Sequence, residues 1–332
     1  MMQIESILND IKQRQFAPIY FLMGDESYFI DRITKELENQ VLNEDEKGFN
    51  QTILYGKETS IEEIIGLAKQ FPMMSEHTLI IVKEAQHLAR TIDKLAHYIE
   101  NPLTSTVLVF NYKYKSLDKR KKVIKLLAKK AVLFESKRLY ENQVPDWIEN
   151  YLKTKSLQIE PKAKFLLVEF LGTDLARIVN ELDKLSILIS EKITVDDIEK
   201  NIGISKEYNN FELQKALGTK SILKANQIIH YFGQNPKDNP IVVTLGVLYT
   251  YFSNIIIYHS LSDKSKSNIA KELRINPYFV KDYQTATNHY PLKKSVQIIS
   301  YLRDADLKSK GLGATNLPPS EILKELLFKI LN

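Results

Sequence analysis

The residues PIYFLMGDESYFID, at positions 18–31, give the clearest indication of how the first part of the chain folds. Its apolar first half ends in a glycine, which is typical of a buried strand. A helical spacing of apolar residues follows from Phe29 or Ile30, and Asp25 or Ser27 is the expected cap of that helix. A buried strand that runs directly into a helix predicts one unit of an α/β domain.

The same alternation continues to about residue 140, and the further strand candidates are QTILYG at 51–56, TLIIV at 78–82, TVLVF at 106–110 and AVLFE at 131–135. Because helices separate these strands, they predict a mostly parallel sheet covered on both faces. Beyond residue 140 the patterns are helical. We predict an α/β domain at 1–140, a small all-α domain at 141–208 and a second all-α domain at 209–332.

Composition excludes several classes of site. The sequence has no cysteine, which removes disulfides, thiol nucleophiles, cysteine-ligated zinc and iron–sulfur clusters, and which fits a reducing cytosol. The motifs G-x-S-x-G and H-E-x-x-H do not occur, and His77, His87 and His97 do not share a common helical face. We therefore expect no catalytic residue, no metal and no cofactor.

Two segments bear on membranes. The first residues lack a long apolar stretch after a basic start, so no signal peptide is expected. Between Asn239 and Ser262 there is no charged side chain, and that length could span a bilayer. Thr244 and Asn254 are among the polar residues that interrupt it, so we predict a buried helix of a helical domain and no membrane partner.

The turn after the first strand is where a nucleotide phosphate would lie in this kind of fold. Gly24 is followed there by Asp25 and Glu26, without the lysine and further glycines of a P-loop. Lys83 follows the third strand, where a P-loop ATPase needs an acidic residue for its metal. The domain has the layout of a nucleotide hydrolase without its groups, and an unrelated α/β domain fits these facts equally.

A run of large apolar residues, Phe71-Pro72-Met73-Met74, precedes the third strand. Adjacent residues rarely both point into a core, and methionine suits an adaptable apolar contact with a partner. One interpretation is an exposed wedge that a partner receives, and the other is a pair of side chains that fill the core.

Positive charge is concentrated in one segment, since Tyr112–Arg138 holds 11 Lys and Arg against 2 Asp and Glu. Its centre is Lys119-Arg120-Lys121-Lys122. The run could follow a nucleic-acid phosphate backbone, or it could be the solvated face of an amphipathic helix.

The segment SNIAKELRINPYFVKDY, residues 267–283, resembles a helix-turn-helix. Arg274 stands at the turn position that often requires glycine, and the second helix has few base-reading groups besides Lys281. Packing within a helical domain is the favoured interpretation, and a helix-turn-helix DNA-binding protein is an alternative function.

Taken together, the sequence resembles the delta subunit family of bacterial DNA polymerase III, over essentially the whole chain. The motifs that carry the resemblance are PIYFLMGDESYFID at 18–31, FPMMSEHTLIIVKEAQ at 71–86, TVLVFNYKYKSLDKRKKVIKLL at 106–127, DLARIVNELDKL at 174–185, NFELQKAL at 210–217 and DLKSKG at 306–311. The resemblance implies an AAA+-like α/β domain with a degenerate nucleotide site, then a helical lid domain and a helical collar domain.

The resemblance also implies a function in DNA replication. The chain would be a non-catalytic, cytoplasmic subunit of a DNA-directed DNA polymerase holoenzyme, with no ATPase activity of its own. Met73 and Met74 would form the wedge that enters a pocket of the sliding clamp (the beta subunit), with Phe71 and Pro72 shaping its approach. Partners would be gamma/tau and delta-prime through the collar, and primer–template DNA. A delta-prime-like subunit is an alternative, although that family usually carries zinc-binding cysteines.

Overall fold

The computed structural model describes residues 4–203, 205, 207–312 and 317–332. The chain divides into two compact units, Met1–Leu139 and Tyr140–Asn332. The change from alternating strands and helices to helices falls at this division. The further boundary near residue 208 stays a prediction.

The first unit is an α/β domain. Its strands are β1 Ile19–Gly24, β2 Gln51–Tyr55, β3 Thr78–Lys83, β4 Thr106–Lys113 and β5 Val132–Ser136, and its helices are α1 Ile4–Lys12, α2 Ser27–Gln40, α3 Glu44–Asn50, α4 Ile61–Ala68, α5 Ala96–Glu100 and α6 Lys122–Lys130, with 3₁₀ turns at Ala85–Leu88 and Ile92–Leu95.

All five strands pair in parallel, in the order β2-β3-β4-β1-β5. Alternate residues of β1 serve different faces, because side chains along a strand point to opposite sides. Ile19 and Phe21 enter one hydrophobic cluster, and Tyr20 and Leu22 enter another. The predicted parallel sheet with two covered faces is confirmed.

The cap of α2 differs from the prediction. Glu26, and neither Asp25 nor Ser27, is the N-cap, and its Oε1 accepts a hydrogen bond from the backbone N–H of Tyr28 at 3.1 Å. Glu26 is buried, so its carboxylate lies where the unpaired N–H groups of the first helical turn need an acceptor.

The second unit is mostly helical. Its helices are α7 Val144–Lys153, α8 Pro161–Leu171, α9 Leu175–Leu188, α10 Val195–Ile202, α11 Asn210–Gly218, α12 Ile222–Gln234, α13 Ile241–Ser260, α14 Lys266–Glu272, α15 Val280–His289, α16 Leu292–Ser309 and α17 Pro319–Leu331, with 3₁₀ turns at Glu141–Gln143 and Pro277–Phe279. A parallel pair of two-residue strands, β6 Gln158–Ile159 and β7 Lys192–Ile193, departs from the all-α prediction, because two residues are too short to show a period.

Helix α13 is the apolar segment singled out in the sequence. Leu248, Phe252 and Ile255 lie in the large core formed by α11–α17. By length and composition alone this helix is apolar enough to cross a membrane, yet 44% of its most apolar window is already buried by the rest of the protein. Its other face carries exposed apolar side chains.

Candidate functional site

The segment Phe71–Met74 lies in the connection between α4 and β3. Phe71 is 77% exposed, Met73 is 63% exposed and Met74 is fully exposed. Burying one such side chain against a partner is worth about 1.5–3 kcal/mol. The side chains do not fill the core, so the structure leaves an apolar surface here that is available to a partner.

Asn50, the last residue of α3, holds this loop. The backbone N–H of Met73 donates to Oδ1 of Asn50 at 2.7 Å, and Nδ2 of Asn50 donates to the carbonyl of Met73 at 2.9 Å. Asn50 is only 2% exposed. The sequence carried no signal for this residue, because 23 positions separate the two partners.

Met74 has a left-handed backbone, with φ at +53°. A non-glycine residue in this region is held there by its surroundings at some cost in energy. After the exposed segment, the ring of His77 packs edge-to-face on Phe16, with ring centroids 5.4 Å apart. The backbone N–H of His77 donates to Oγ of Ser75 at 3.4 Å. The loop is therefore held at Met73 and again at His77, while the side chains of Phe71, Met73 and Met74 are exposed.

The turn after β1 engages its own backbone. The N–H of Gly24 donates to the carbonyl of Lys115 at 3.0 Å, and the N–H of Asp25 donates to the carbonyl of Ser136 at 3.2 Å. Gly24 has φ at +127°, and a Cβ there would collide with the Ser136 carbonyl. Two N–H groups of the turn where a phosphate would lie are thus satisfied from within the domain, and Glu26 adds a carboxylate at the amino end of α2.

The predicted basic run lies mainly in the loop before α6, and three of its members form ion pairs. Lys119 pairs with Glu135 at 2.9 Å, Arg120 with Asp118 at 2.6 Å and Lys121 with Asp93 at 2.9 Å. The Arg120 guanidinium holds the pKa of Asp118 below its ordinary value through their hydrogen bonds. These cations are therefore partly neutralised by neighbouring carboxylates.

Helix α6 itself presents a second set of cations. Lys122, Lys125 and Lys129 are exposed at helical spacing, and within the described residues none of them pairs with an acidic side chain. Val123 and Leu127 are buried on the opposite face. The amphipathic helix and the positive surface predicted from sequence are thus two faces of one element.

The 267–283 segment forms α14, a turn and α15, and Arg274 adopts the left-handed turn conformation with φ at +54°. Ile269, Leu273 and Val280 all lie in the core of the helical unit. The apolar spacing that suggests a helix-turn-helix is thereby accounted for by internal packing.

These features define a class of protein: an α/β domain with a parallel five-stranded sheet, whose first strand-to-helix turn bonds to its own backbone, followed by a mostly helical unit. The Bacillus subtilis DNA clamp loader delta protein has a similar fold, with a TM-score of 0.57, 25% identity and 99% coverage of both chains. Family profiles described as "DNA polymerase III, delta subunit" and "DNA polymerase III delta subunit, C-terminal domain" match residues 20–137 and 207–324. The chain belongs to the DNA polymerase III delta subunit family.

Two relatives in sequence agree with this membership. The DNA polymerase III subunit delta of Bacillus subtilis is 28% identical, over 97% of this chain and 95% of its own length. The subunit of the same name from Buchnera aphidicola is 23% identical, over 91% of this chain and 90% of its own length. The resemblance inferred from the sequence motifs is thus confirmed along nearly the whole chain.

Proposed function

We propose that this chain is the clamp-loader subunit that binds the sliding clamp through Phe71-Pro72-Met73-Met74 and opens the ring, or holds it open, for loading onto primed DNA. The observation that carries the proposal is the exposure of Phe71, Met73 and Met74 on a loop whose backbone is held at Met73 by Asn50. Membership of the delta subunit family supports a role in clamp loading.

Opening requires that the subunit bind one state of the clamp more tightly than the other. A closed ring and an open ring are two populations, and a ligand shifts them only by its difference in affinity. A wedge that fits an apolar pocket accessible in the strained or open ring supplies this difference. Two methionines suit this task, because the flexible thioether side chain adapts to a deforming pocket.

ATP acts elsewhere in this proposal, in the gamma/tau motor subunits. The absence of nucleotide turnover by this chain is supported by the engagement of the Gly24 and Asp25 N–H groups with backbone carbonyls. Lys83 at the end of β3 also lacks the charge needed to hold a metal. No cofactor is part of the proposal.

The remaining partners follow from the helical unit and the basic segment. The collar at 209–332 would hold gamma/tau and delta-prime, in the cytoplasm and without a membrane. Lys119, Arg120, Lys121 and Lys122 would face primer–template DNA in the assembled complex, and Lys122 has no carboxylate partner among the described residues.

The test is binding to the sliding clamp of the same organism by wild type and by Met73→Ala/Met74→Ala. Removing two exposed apolar side chains from an interface centre should weaken binding by about a hundredfold or more, with little change in thermal unfolding. Ile187→Ala/Leu188→Ala is the matched control, because these adjacent apolar residues are also exposed but lie in the second unit.

The outcomes separate the parts of the proposal. Loss of binding in the methionine variant alone supports both the function and the position of the wedge. Equal binding by the methionine variant and wild type would place the clamp contact elsewhere on the chain. Failure of wild type to bind would overturn the proposed function.

A further inference from the structure

The side chain of Asn50 is fully engaged at the carboxyl end of α3. Its Oδ1 accepts from the Met73 N–H, and its Nδ2 donates both to the Met73 carbonyl and to the Glu46 carbonyl, the latter at 3.2 Å. These partners determine the orientation of the amide, because an N–H requires an acceptor and two carbonyls require donors. One buried side chain therefore ties the loop to α3.

This pairing substitutes for a neighbouring strand. Bonding to both the N–H and the carbonyl of one residue is what a strand does in a ladder, and here a side-chain amide does it across 23 positions. With the Met73 backbone held, the strained backbone of Met74 follows directly after a fixed point. A loop held in its binding conformation loses less entropy when it docks.

Phe49 is the residue directly before Asn50, and it is 77% exposed. Because Asn50 bonds directly to Met73, the end of α3 lies beside the loop. Phe49 therefore adds an exposed apolar side chain at the end of α3, beside the loop that carries Phe71, Met73 and Met74. Its position beside the proposed wedge favours the same occupant.

We propose that Asn50 is the positioning residue of the clamp-binding loop, and that Phe49 is a further contact to the sliding clamp. This inference rests on the proposed function. It assigns α3, a separate element, to the docking surface, so the surface is built from two segments of the chain rather than from one loop.

A first measurement needs no clamp. Hydrogen exchange at the Met73 amide should become at least tenfold faster in Asn50→Ala, because its acceptor is removed. Asn111→Ala is the matched control, since Asn111 is an equally buried asparagine of the same domain that accepts instead from Thr34. Unchanged Met73 exchange in Asn50→Ala would overturn the positioning role.

A second measurement is the dissociation constant for the clamp. Asn50→Ala should bind about tenfold more weakly, and Asn50→Asp should lose a similar factor, because a carboxylate keeps the shape but repels the Met73 carbonyl. Asn111→Ala should bind as wild type even where its unfolding temperature falls equally. Binding that merely follows thermal stability in all three variants would overturn the positioning role.

Phe49→Ala should weaken clamp binding about tenfold, with Phe328→Ala, another exposed phenylalanine but in the second unit, as its control. Unchanged binding in Phe49→Ala would remove α3 from the docking surface. If wild type binds the clamp but the Asn50 and Phe49 variants bind equally well, only this inference fails. If wild type does not bind, the proposed function fails with it, and Met73 exchange still reports whether Asn50 holds the loop.

Discussion

At the scale of single residues, a few polar side chains bond to backbone groups that have no partner within their own helix or strand. Asn50 takes the place of a neighbouring strand at Met73, and Glu26 accepts from the Tyr28 N–H in the first turn of α2. A third case is Glu169 on α8. Its Oε1 accepts from the Asn210 N–H at 2.7 Å, and its Oε2 is buried with no partner among the described residues.

Glu169 predicts a specific pH dependence of stability. Burial raises its pKa to about 7 in the folded protein, against 4.5 ordinarily, although hydrogen bonds from Asn210 oppose the shift. A raised folded pKa means that the folded state binds the proton more tightly. Protonated Glu169 therefore contributes fully to the stability of the folded protein below about pH 4.5, and this contribution is lost as the pH rises to about 7.

Glu169→Gln should remove this dependence, because the amide keeps an acceptor for Asn210 and never ionises. We expect its free energy of unfolding at pH 8 to exceed that of wild type by up to about 3 kcal/mol, with a much smaller difference at pH 5. Denaturant unfolding across pH measures it. Glu149→Gln is the control, because the Lys164 hydrogen bond lowers the pKa of Glu149. Its free energy of unfolding should fall below that of wild type at neutral pH instead of rising above it. A constant difference between Glu169→Gln and wild type from pH 5 to pH 8 would contradict the assignment.

At the scale of elements, the structure divides the basic segment into cations that have carboxylate partners and cations on α6 that have none among the described residues. The three cations in the loop before α6, Lys119, Arg120 and Lys121, already pair with carboxylates. Lys122, Lys125 and Lys129 instead form an exposed row on the helix. A cation that already has a carboxylate partner gains less from a phosphate, because it must give up that partner. The row on α6 is therefore the stronger candidate for contact with DNA.

Replacing Lys122, Lys125 and Lys129 together by alanine should weaken binding to a primer–template duplex and make it less sensitive to salt. If each lysine neutralises one phosphate, the slope of log K against log salt should fall by about 3. Titration over a salt series, in the assembled loader, measures this slope. Lys119→Ala/Lys121→Ala should change it less, and an equal or larger change there would assign the contact to the loop.

At the scale of the whole molecule, the apolar character of α13 reflects two different surfaces. One face lies in the core of the helical unit, while Val242, Val243, Tyr249 and Ile257 are exposed on a helix without charged side chains. An exposed apolar face of this extent is typical of a protein–protein interface. The proposed collar supplies partners for it in the other loader subunits.

Charges on that face should prevent assembly without unfolding the chain. We expect Val242→Lys/Tyr249→Lys to lose co-elution with gamma/tau and delta-prime in size-exclusion chromatography with light scattering, because a charge buried without a partner is costly. Leu188→Lys is the control, since Leu188 is also exposed and apolar but lies outside the proposed collar. Normal assembly of the double variant would exclude this face of α13 as the interface.

Patterns in the sequence were enough to predict the five strands, their alternation with helices, the change at about residue 140 and the family. These depend on local periodicity and turn residues, which are present within each short window of sequence. It also located Phe71-Pro72-Met73-Met74 as a candidate surface, although it left exposure and core packing as alternatives. The resemblance to the family then favoured exposure.

The contacts between distant residues, in contrast, became visible only in the folded chain. Asn50 bonds to Met73, which is 23 positions away in the sequence. The N–H of Asp25, just after β1, donates to the carbonyl of Ser136 at the end of β5. Lys119 and Lys121 pair with carboxylates on other elements. Such contacts depend on how strands order in the sheet and how helices pack, and no periodicity within a segment encodes them. The exposed apolar segment proposed as the wedge was therefore a candidate from the sequence, whereas Asn50, which bonds to it, was not.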